Sequence, residues 1–281
     1  GTPEAERRQL TVMFCDLVGS TALSERLDPE DLREVIHTYQ ECCAGVVARF
    51  GGFIARYMGD GLLVYFGYPQ AHEDDAERAI RAGLGIVEAV GELRPGDDLT
   101  LQVRIGIATG LVVAGDHIGA GASEEKAVVG ETPNLAARLQ GLAEPDTVVI
   151  APSTYRLAGG LFVCDDLGPQ RLKGISAPVP AYRVREAGHA PSRFEATAER
   201  RLTPLVGRAE EIGLLLKRWD QAKDGDGQVV LLSGEAGVGK SRILRSFRER
   251  LEDELRNRVL YYCSSYHQNS AFYPAIDQLE R

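Results

Sequence analysis

Two aspartates stand where an acid is costly to keep. Asp16 closes the apolar run Leu10-Thr11-Val12-Met13-Phe14-Cys15, and Asp60 sits in the Gly59-Asp60-Gly61 link between Ala55-Arg56-Tyr57-Met58 and Leu62-Leu63-Val64-Tyr65-Phe66. A carboxylate at the end of a buried strand raises the free energy unless a cation or a donor set meets it. Two of them, each at a strand end or hairpin tip, form a hard-oxygen site suited to Mg²⁺ or Mn²⁺. Asp60 by itself reads as a turn former, since Asp and Gly both favour tight hairpins. The pair gains meaning only with a third element.

That element is Gly130-Glu131-Thr132-Pro133-Asn134-Leu135-Ala136-Ala137-Arg138-Leu139. Thr132 is placed to cap a helix with Pro133 at its first position, which suits proline's fixed φ and missing N–H. Asn134 and Arg138 then lie a turn apart on one face. Leu135, Leu139 and Leu142 form another face, able to hold the helix to a sheet. An amide and a guanidinium projecting near a helix N-terminus suit an anionic transition state, although each alone would be an ordinary surface residue.

The elements that must position these groups follow from periodicity. Asp28-Pro29-Glu30-Asp31 starts a helix whose apolar stripe runs from Leu32 to Phe50 and stops at Gly51-Gly52. Phe53–Met58 and Leu62–Phe66 predict a hairpin, and a second helix spans about Asp74–Leu93. Val103-Ile105-Ile107 alternates as a strand, with Leu111–Ala114 expected to return from a turn at Gly110. After the Asn134 helix come a strand over Thr147–Ala151, a short helix near Ser153, and late strands near Phe162–Cys164 and Ala181–Val184. The opening order strand, helix, strand, strand, helix, strand is the ferredoxin-like βαββαβ pattern of an α/β (α+β) domain with extra strands.

With 281 residues the chain is long enough for one large or two ordinary domains. Its net charge of −9 argues against nucleic acid as a general partner. Five cysteines, an odd number without CxxC spacing, read as reduced thiols of a cytoplasmic protein. No apolar run is long enough for a membrane span and no signal peptide precedes the first strand.

In this order the segments resemble the class III nucleotidyl cyclases. The likeness is carried by Phe14-Cys15-Asp16-Leu17-Val18-Gly19-Ser20-Thr21, Arg56-Tyr57-Met58-Gly59-Asp60-Gly61, Val103-Arg104-Ile105-Gly106-Ile107-Ala108-Thr109-Gly110, the Asn134/Arg138 helix and Leu172-Lys173-Gly174. It covers residues 8 to 185, and five ordered segments are far more specific than any one. The resemblance implies attack of a ribose 3′-oxygen on the α-phosphate, giving a 3′,5′-cyclic nucleotide and pyrophosphate. It assigns Asp16, Leu17 and Asp60 to two Mg²⁺ or Mn²⁺ ions. Val18, Gly19, Ser20 and Thr21, leading into a helix, and Lys173 would meet the phosphates. Asn134 would position the ribose and Arg138 would stabilise charge at the α-phosphate. Because family members divide the metal acids and the Asn/Arg helix between opposite subunits, a homodimer with two equivalent sites is implied.

The base-recognition positions depart from the family pattern. Adenylyl cyclases typically carry Lys where this chain has Arg56, and Asp, Thr or Ser where it has Ala127. Arg56 can donate to a purine acceptor and also suits the O6/N7 edge of guanine. Ala127 offers no side-chain acceptor for the adenine amino group, yet the Glu and Cys expected of guanylyl cyclases are absent. ATP is the expected substrate. The alternatives are GTP or relaxed purine specificity, or a catalytically weak regulatory cyclase domain of a P-loop signalling ATPase.

Between Glu186 and Pro204 periodicity lapses into a linker, separating a cyclase-like domain (1–185) from a second unit (205–281). There a strand over Gln228–Leu232 is expected before Gly234-Glu235-Ala236-Gly237-Val238-Gly239-Lys240-Ser241 and a helix, a full Walker A pattern. Gly234, Gly237 and Gly239 let backbone N–H groups surround phosphates, Lys240 reaches the terminal phosphates, and Ser241 can ligate Mg²⁺. With Leu205-Val206-Gly207-Arg208, the motif resembles AAA-like or STAND ATPase modules. The arrangement is similar to that of soluble adenylyl cyclases. No second strand ending in a Walker B acid follows before Arg281, so the P-loop domain is expected to be incomplete and the chain a fragment of a longer protein.

Overall fold

The structure, a computed structural model, describes residues 6–95, 99–115, 127–158, 160–188, 205–234, 238–251, 259, 261, 263 and 271–280. Two units, Gly1–Arg193 and Phe194–Arg281, divide the chain.

The first unit runs β1 (Glu6–Leu17), α1 (Ser20–Arg26), α2 (Pro29–Arg49), β2 (Phe53–Met58), β3 (Gly61–Phe66), α3 (Asp75–Glu92), β4 (Val103–Gly115), β5 (Ala127–Val129), α4 (Glu131–Leu142), β6 (Thr147–Ile150), α5 (Pro152–Ala158), β7 (Phe162–Gln170) and β8 (Val179–Ala187). The sheet order is β2-β3-β1-β4-β6-β8-β7, with β5 pairing the far end of β4. Its first four strands are antiparallel in the ferredoxin-like order expected from the sequence. β6 extends the sheet by a parallel pairing with β4.

Helix α2 begins where the sequence demands. The Asp28 carboxylate accepts from the N–H groups of Glu30 and Asp31, at 2.8 and 3.3 Å, with Pro29 at the first position. Its inward stripe is Val35, Tyr39, Cys43, Val46 and Val47. The sheet is covered on both faces because successive strand residues point to opposite sides. Ile107 and Val148 pack on α3 at Gly83. Val12, Ala108 and Val149 form a second core with Ala136 and Leu139 of α4.

Two expectations for this unit fail for identifiable reasons. No turn forms at Gly110: β4 continues through it, with Gly110 opposite Leu10 in the ladder. A Cβ there would stand 2.6 Å from the Thr132 hydroxyl, so this glycine marks a close approach of α4 and not a reversal of the chain. Thr132 is not the cap of α4. The helix starts at Glu131 behind Gly130, and Thr132 is buried in the first turn against β4. The late strands β7 and β8 are longer than expected, each spanning nine residues.

The described residues of the second unit include α6 (Ala209–Lys223), α7 (Lys240–Arg250) and α8 (Tyr273–Glu280). α6 packs on α7 with Ile212 and Ile243 buried. The expected strand at Gln228–Leu232 is not formed, and Val229 and Leu231 are 98% and 88% exposed. A strand is defined by its ladder, and among the described residues none pairs with this segment. No helix of the described residues is long and apolar enough to cross a membrane.

Candidate active site

Antiparallel pairing brings the end of β1 to the start of β3, and therefore to the β2–β3 turn. Asp16 is the ladder partner of Gly61 on one side and of Arg104 on the other. Asp60, next to Gly61, is near enough for its charge to act on the Asp16 carboxyl. Burial, then the charge of Asp60, hold the Asp16 carboxyl above the ordinary carboxylate range, while Arg104 pulls it down. A Cβ on Gly61 would stand 3.4 Å from Asp16 Oδ1, so the glycine keeps that oxygen accessible.

Two residues that sequence reasoning missed complete the cluster. Arg104 projects beside Asp16, and its buried Nε has no hydrogen-bond partner among the described residues. Its signal was available: a cation near the start of an alternating strand, otherwise apolar at Val103, Ile105 and Ile107. From α4, the Gln140 side-chain amide donates to Asp16 Oδ2 at 3.5 Å. Nothing in the sequence marks Gln140, which lies off the Asn134/Arg138 face.

Asn134 and Arg138 are exposed. At about 100° per residue they point well over 90° away from Gln140, so α4 offers one face to the chain's own acids and another to solvent. Leu17 is 2% exposed, so only its backbone can serve the site. The Val18 N–H is engaged by the Gln102 carbonyl at 2.8 Å. Gly19, with φ +72°, opens α1, leaving the amides of Gly19, Ser20 and Thr21 at the helix start. Lys173 is exposed on a turn closed by Ile175 N–H to Leu172 O at 3.1 Å, with Leu172 anchored in the core. Arg56 is exposed on β2 opposite Leu63, beside a bulge. Ala127 opens β5 opposite Gly115.

Could the acids hold a metal? Two carboxylates in reach of each other, one of them half-buried, repel unless a cation intervenes. No group of three or more His, Cys, Asp or Glu able to hold a metal occurs among the described residues. Two acids plus backbone oxygen fit a hard cation that takes its remaining ligands from phosphates and water.

In the second unit Gly239, with φ +101°, opens α7, and Lys240 Nζ donates to Gly234 O at 2.8 Å. Ser241 follows in the first turn, while Gly237 lies outside the described residues. Arg208 reaches the loop by donating to the Val238 carbonyl at 3.2 Å.

The family model for the adenylate and guanylate cyclase catalytic domain matches residues 3–186. The chain belongs to that family. The chain also matches an AAA ATPase domain over residues 204–281. It is 36% identical over 277 residues to an uncharacterized protein of Rhizobium meliloti (strain 1021), covering 98% of this chain and 26% of that protein. It is 30% identical over 208 residues to adenylate cyclase 1 of the same organism, covering 70% of this chain and 30% of the relative. The chain thus spans under a third of these two relatives' lengths. Among solved structures, the adenylyl cyclase CyaB from P. aeruginosa superposes with a TM-score of 0.63 at 32% identity, covering 66% of this chain and 98% of that chain. The guanylate cyclase domain of RhGC from Catenaria anguillulae, in complex with GTP, gives 0.62 at 26% identity over 66% and 100% of the two chains. Class III cyclase domains are generally divalent-metal dependent, and the Asp16–Asp60 pair fits that chemistry.

Proposed function

We propose that residues 1–185 form an adenylyl cyclase domain that converts ATP to 3′,5′-cyclic AMP and pyrophosphate at a site shared by two copies of the chain. The observation that carries this reading is the Asp16–Asp60 pair, two acids brought side by side with one guanidinium beside them. Two Mg²⁺ or Mn²⁺ ions bound there would supply Lewis acidity, lowering the pKa of the ribose 3′-hydroxyl and offsetting triphosphate charge. Asp16 and Asp60 would hold them through carboxylate oxygens, with Leu17 contributing through its backbone.

The chain's other groups bind and orient the nucleotide. The half-buried Arg104, at the same level of the sheet as Asp16, offers its guanidinium to phosphate oxygen. The amides of Gly19, Ser20 and Thr21 and the exposed Lys173 ammonium take the remaining phosphate charge. Asn134 and Arg138 turn away from the chain's own acids, which supports their serving a second copy. There Asn134 orients the ribose and Arg138 stabilises negative charge at the α-phosphate. The 3′-hydroxyl loses its proton to solvent as its oxygen bonds the α-phosphorus, the bond from the α-phosphorus to the bridging oxygen breaks, and pyrophosphate leaves.

ATP is preferred because adenylate cyclases stand among the relatives. Arg56 favours a second reading in which GTP is also accepted, since its donors fit the O6/N7 edge of guanine. With Ala127 supplying no acceptor, discrimination between the two should be weak, below about a hundredfold. We assign 186–204 to a linker and 205–281 to a P-loop module that binds ATP through Gly234, Gly237, Gly239, Lys240 and Ser241 and regulates the cyclase. A cytoplasmic location suits the free thiols. Incubating the purified chain with ATP or GTP and Mn²⁺, with products identified by mass, tests the assignment. Failure to form any cyclic nucleotide would remove it, and a strong preference for either base would mean that other groups read the ring.

A further inference from the structure

One helix reaches both chain segments that carry the acids. At consecutive positions of α2, the Tyr39 hydroxyl meets Cys15 Sγ at 3.3 Å, and the Gln40 side-chain amide donates to the Gly59 carbonyl at 2.9 Å. Cys15 precedes Asp16 and Gly59 precedes Asp60. Tyr39 and Cys15 are 0% and 1% exposed, so the first contact is locked in the core. The second spans open ground to a turn that needs holding: Gly59 has φ +67°, a conformation glycine enters and leaves at little cost.

The carbonyl of Gly59 and the N–H of Asp60 belong to one planar peptide unit. A donor fixed on that oxygen therefore fixes the plane from which the Asp60 side chain departs. Without it, the Gly59–Asp60 peptide hangs between Met58 and Gly61, the ladder residues on either side of it, with Gly61 also paired to Asp16. α2 is rigid enough to act as the support, being 21 residues long, capped by Asp28 and buried along one face.

We propose that Gln40 is a positioning residue for the metal site, holding the Gly59–Asp60 peptide so that the Asp60 carboxylate stays aimed at Asp16. It touches neither substrate nor metal and acts through the turn. This inference rests on the proposed metal role of Asp16 and Asp60.

The test uses the full 281-residue chain with Gln40→Met, which keeps length and removes the donor, and Gln40→Lys, which restores a donor. Every protein also carries Lys240→Ala and Ser241→Ala to silence the P-loop, and Mn²⁺ bound beyond a nucleotide-only control is titrated by electron paramagnetic resonance with 3′-deoxy-ATP, which cannot cyclise, so binding is read without turnover. Gln40→Met should raise the half-saturating Mn²⁺ concentration roughly three- to tenfold, the loss expected for one neutral hydrogen bond. Gln40→Lys should recover most of that loss. In turnover assays Gln40→Met should shift the half-activating Mn²⁺ by the same factor, with kcat at saturating metal within about twofold of the parent. Melting temperature should be unchanged, since the contact is at the surface. If the parent binds Mn²⁺ and loses it in Asp60→Asn, yet Gln40→Met binds equally well, the positioning role is refuted and the metal site stands. A parent chain that binds no Mn²⁺ refutes the metal site itself, and the role of Gln40 with it.

Discussion

Asp16 and Arg104 are register partners across the β1–β4 ladder, so a half-buried acid and a guanidinium with an unpartnered Nε leave one face of the sheet at the same level. Directly opposed residues in an antiparallel pair share a face. The arrangement leaves the cation able to steady Asp16 and still donate elsewhere.

Arg104→Met should therefore reduce kcat/KM for the metal–nucleotide complex by about a hundredfold, in the range for one lost charged donor. The fold should persist, because the aliphatic stem keeps its packing. Steady-state kinetics decide this, and a loss below about threefold would count against a phosphate role.

Asp16→Asn and Asp60→Asn should each abolish turnover and yet stabilise the metal-free protein. Either change removes one of two mutually repelling carboxylates. A gain of about 1 kcal/mol would raise the melting temperature of this unit by roughly 2–4 °C. Thermal scans with and without Mn²⁺ should also show the metal-induced rise disappearing. A mutant that retains near-normal activity would overturn the metal assignment.

The exposure of Asn134 and Arg138 leads to a complementation experiment. Asp16→Asn and Arg138→Ala should each be inactive alone. Mixed with subunit exchange, heterodimers would carry both lesions in one site and none in the other. Activity should return to at most about a quarter of the parent value for random pairing and independent sites. An inactive mixture despite demonstrated exchange would refute the shared site, as would full activity from a monomer.

Gly106 is where α4 crosses β4. A Cβ there would lie 2.1 Å from the Gln140 nitrogen and 2.3 Å from the Ala136 carbonyl oxygen, so the helix must move. Gly106→Ala should cost more than about 3 kcal/mol and displace Asn134, Arg138 and Gln140 together. Gly141, on the same helix, has nothing within 4 Å of the position a methyl group would take. Gly141→Ala should instead gain about 0.4–1 kcal/mol. Denaturant melts of the two variants provide the comparison.

Asp75 gives a pH dependence away from the active site. Burial raises its carboxyl above the ordinary value of 3.8, against the lowering effect of donation from His72. Folded pKa exceeds unfolded pKa, so its contribution to stability is complete below 3.8 and is lost as pH rises through the raised value. Asp75→Asn keeps an oxygen for the His72 N–H and removes the charge. Relative to the parent, its melting temperature should therefore be higher at pH 7 than at pH 4. A difference independent of pH would contradict the shift.

The sequence by itself determined the local chemistry and the elements that display it. The acid at the end of β1, the Gly59-Asp60-Gly61 turn, the Asp28-Pro29 start of α2 and the Asn134/Arg138 spacing all depend on neighbours a few residues away. So does the Walker A pattern, with Lys240 opening a helix behind Gly239. Tertiary structure decided what distance along the chain conceals. Arg104 joins Asp16 through ladder register, and Gln140 joins it because α4 crosses the sheet at Gly106. A glycine looks the same in sequence whether it permits a turn or a close approach. Gly110 proved the second kind only once Thr132 was seen packed upon it. Gln228–Leu232 has a strand's composition, yet backbone hydrogen bonds between strands need a partner, and no local pattern supplies one.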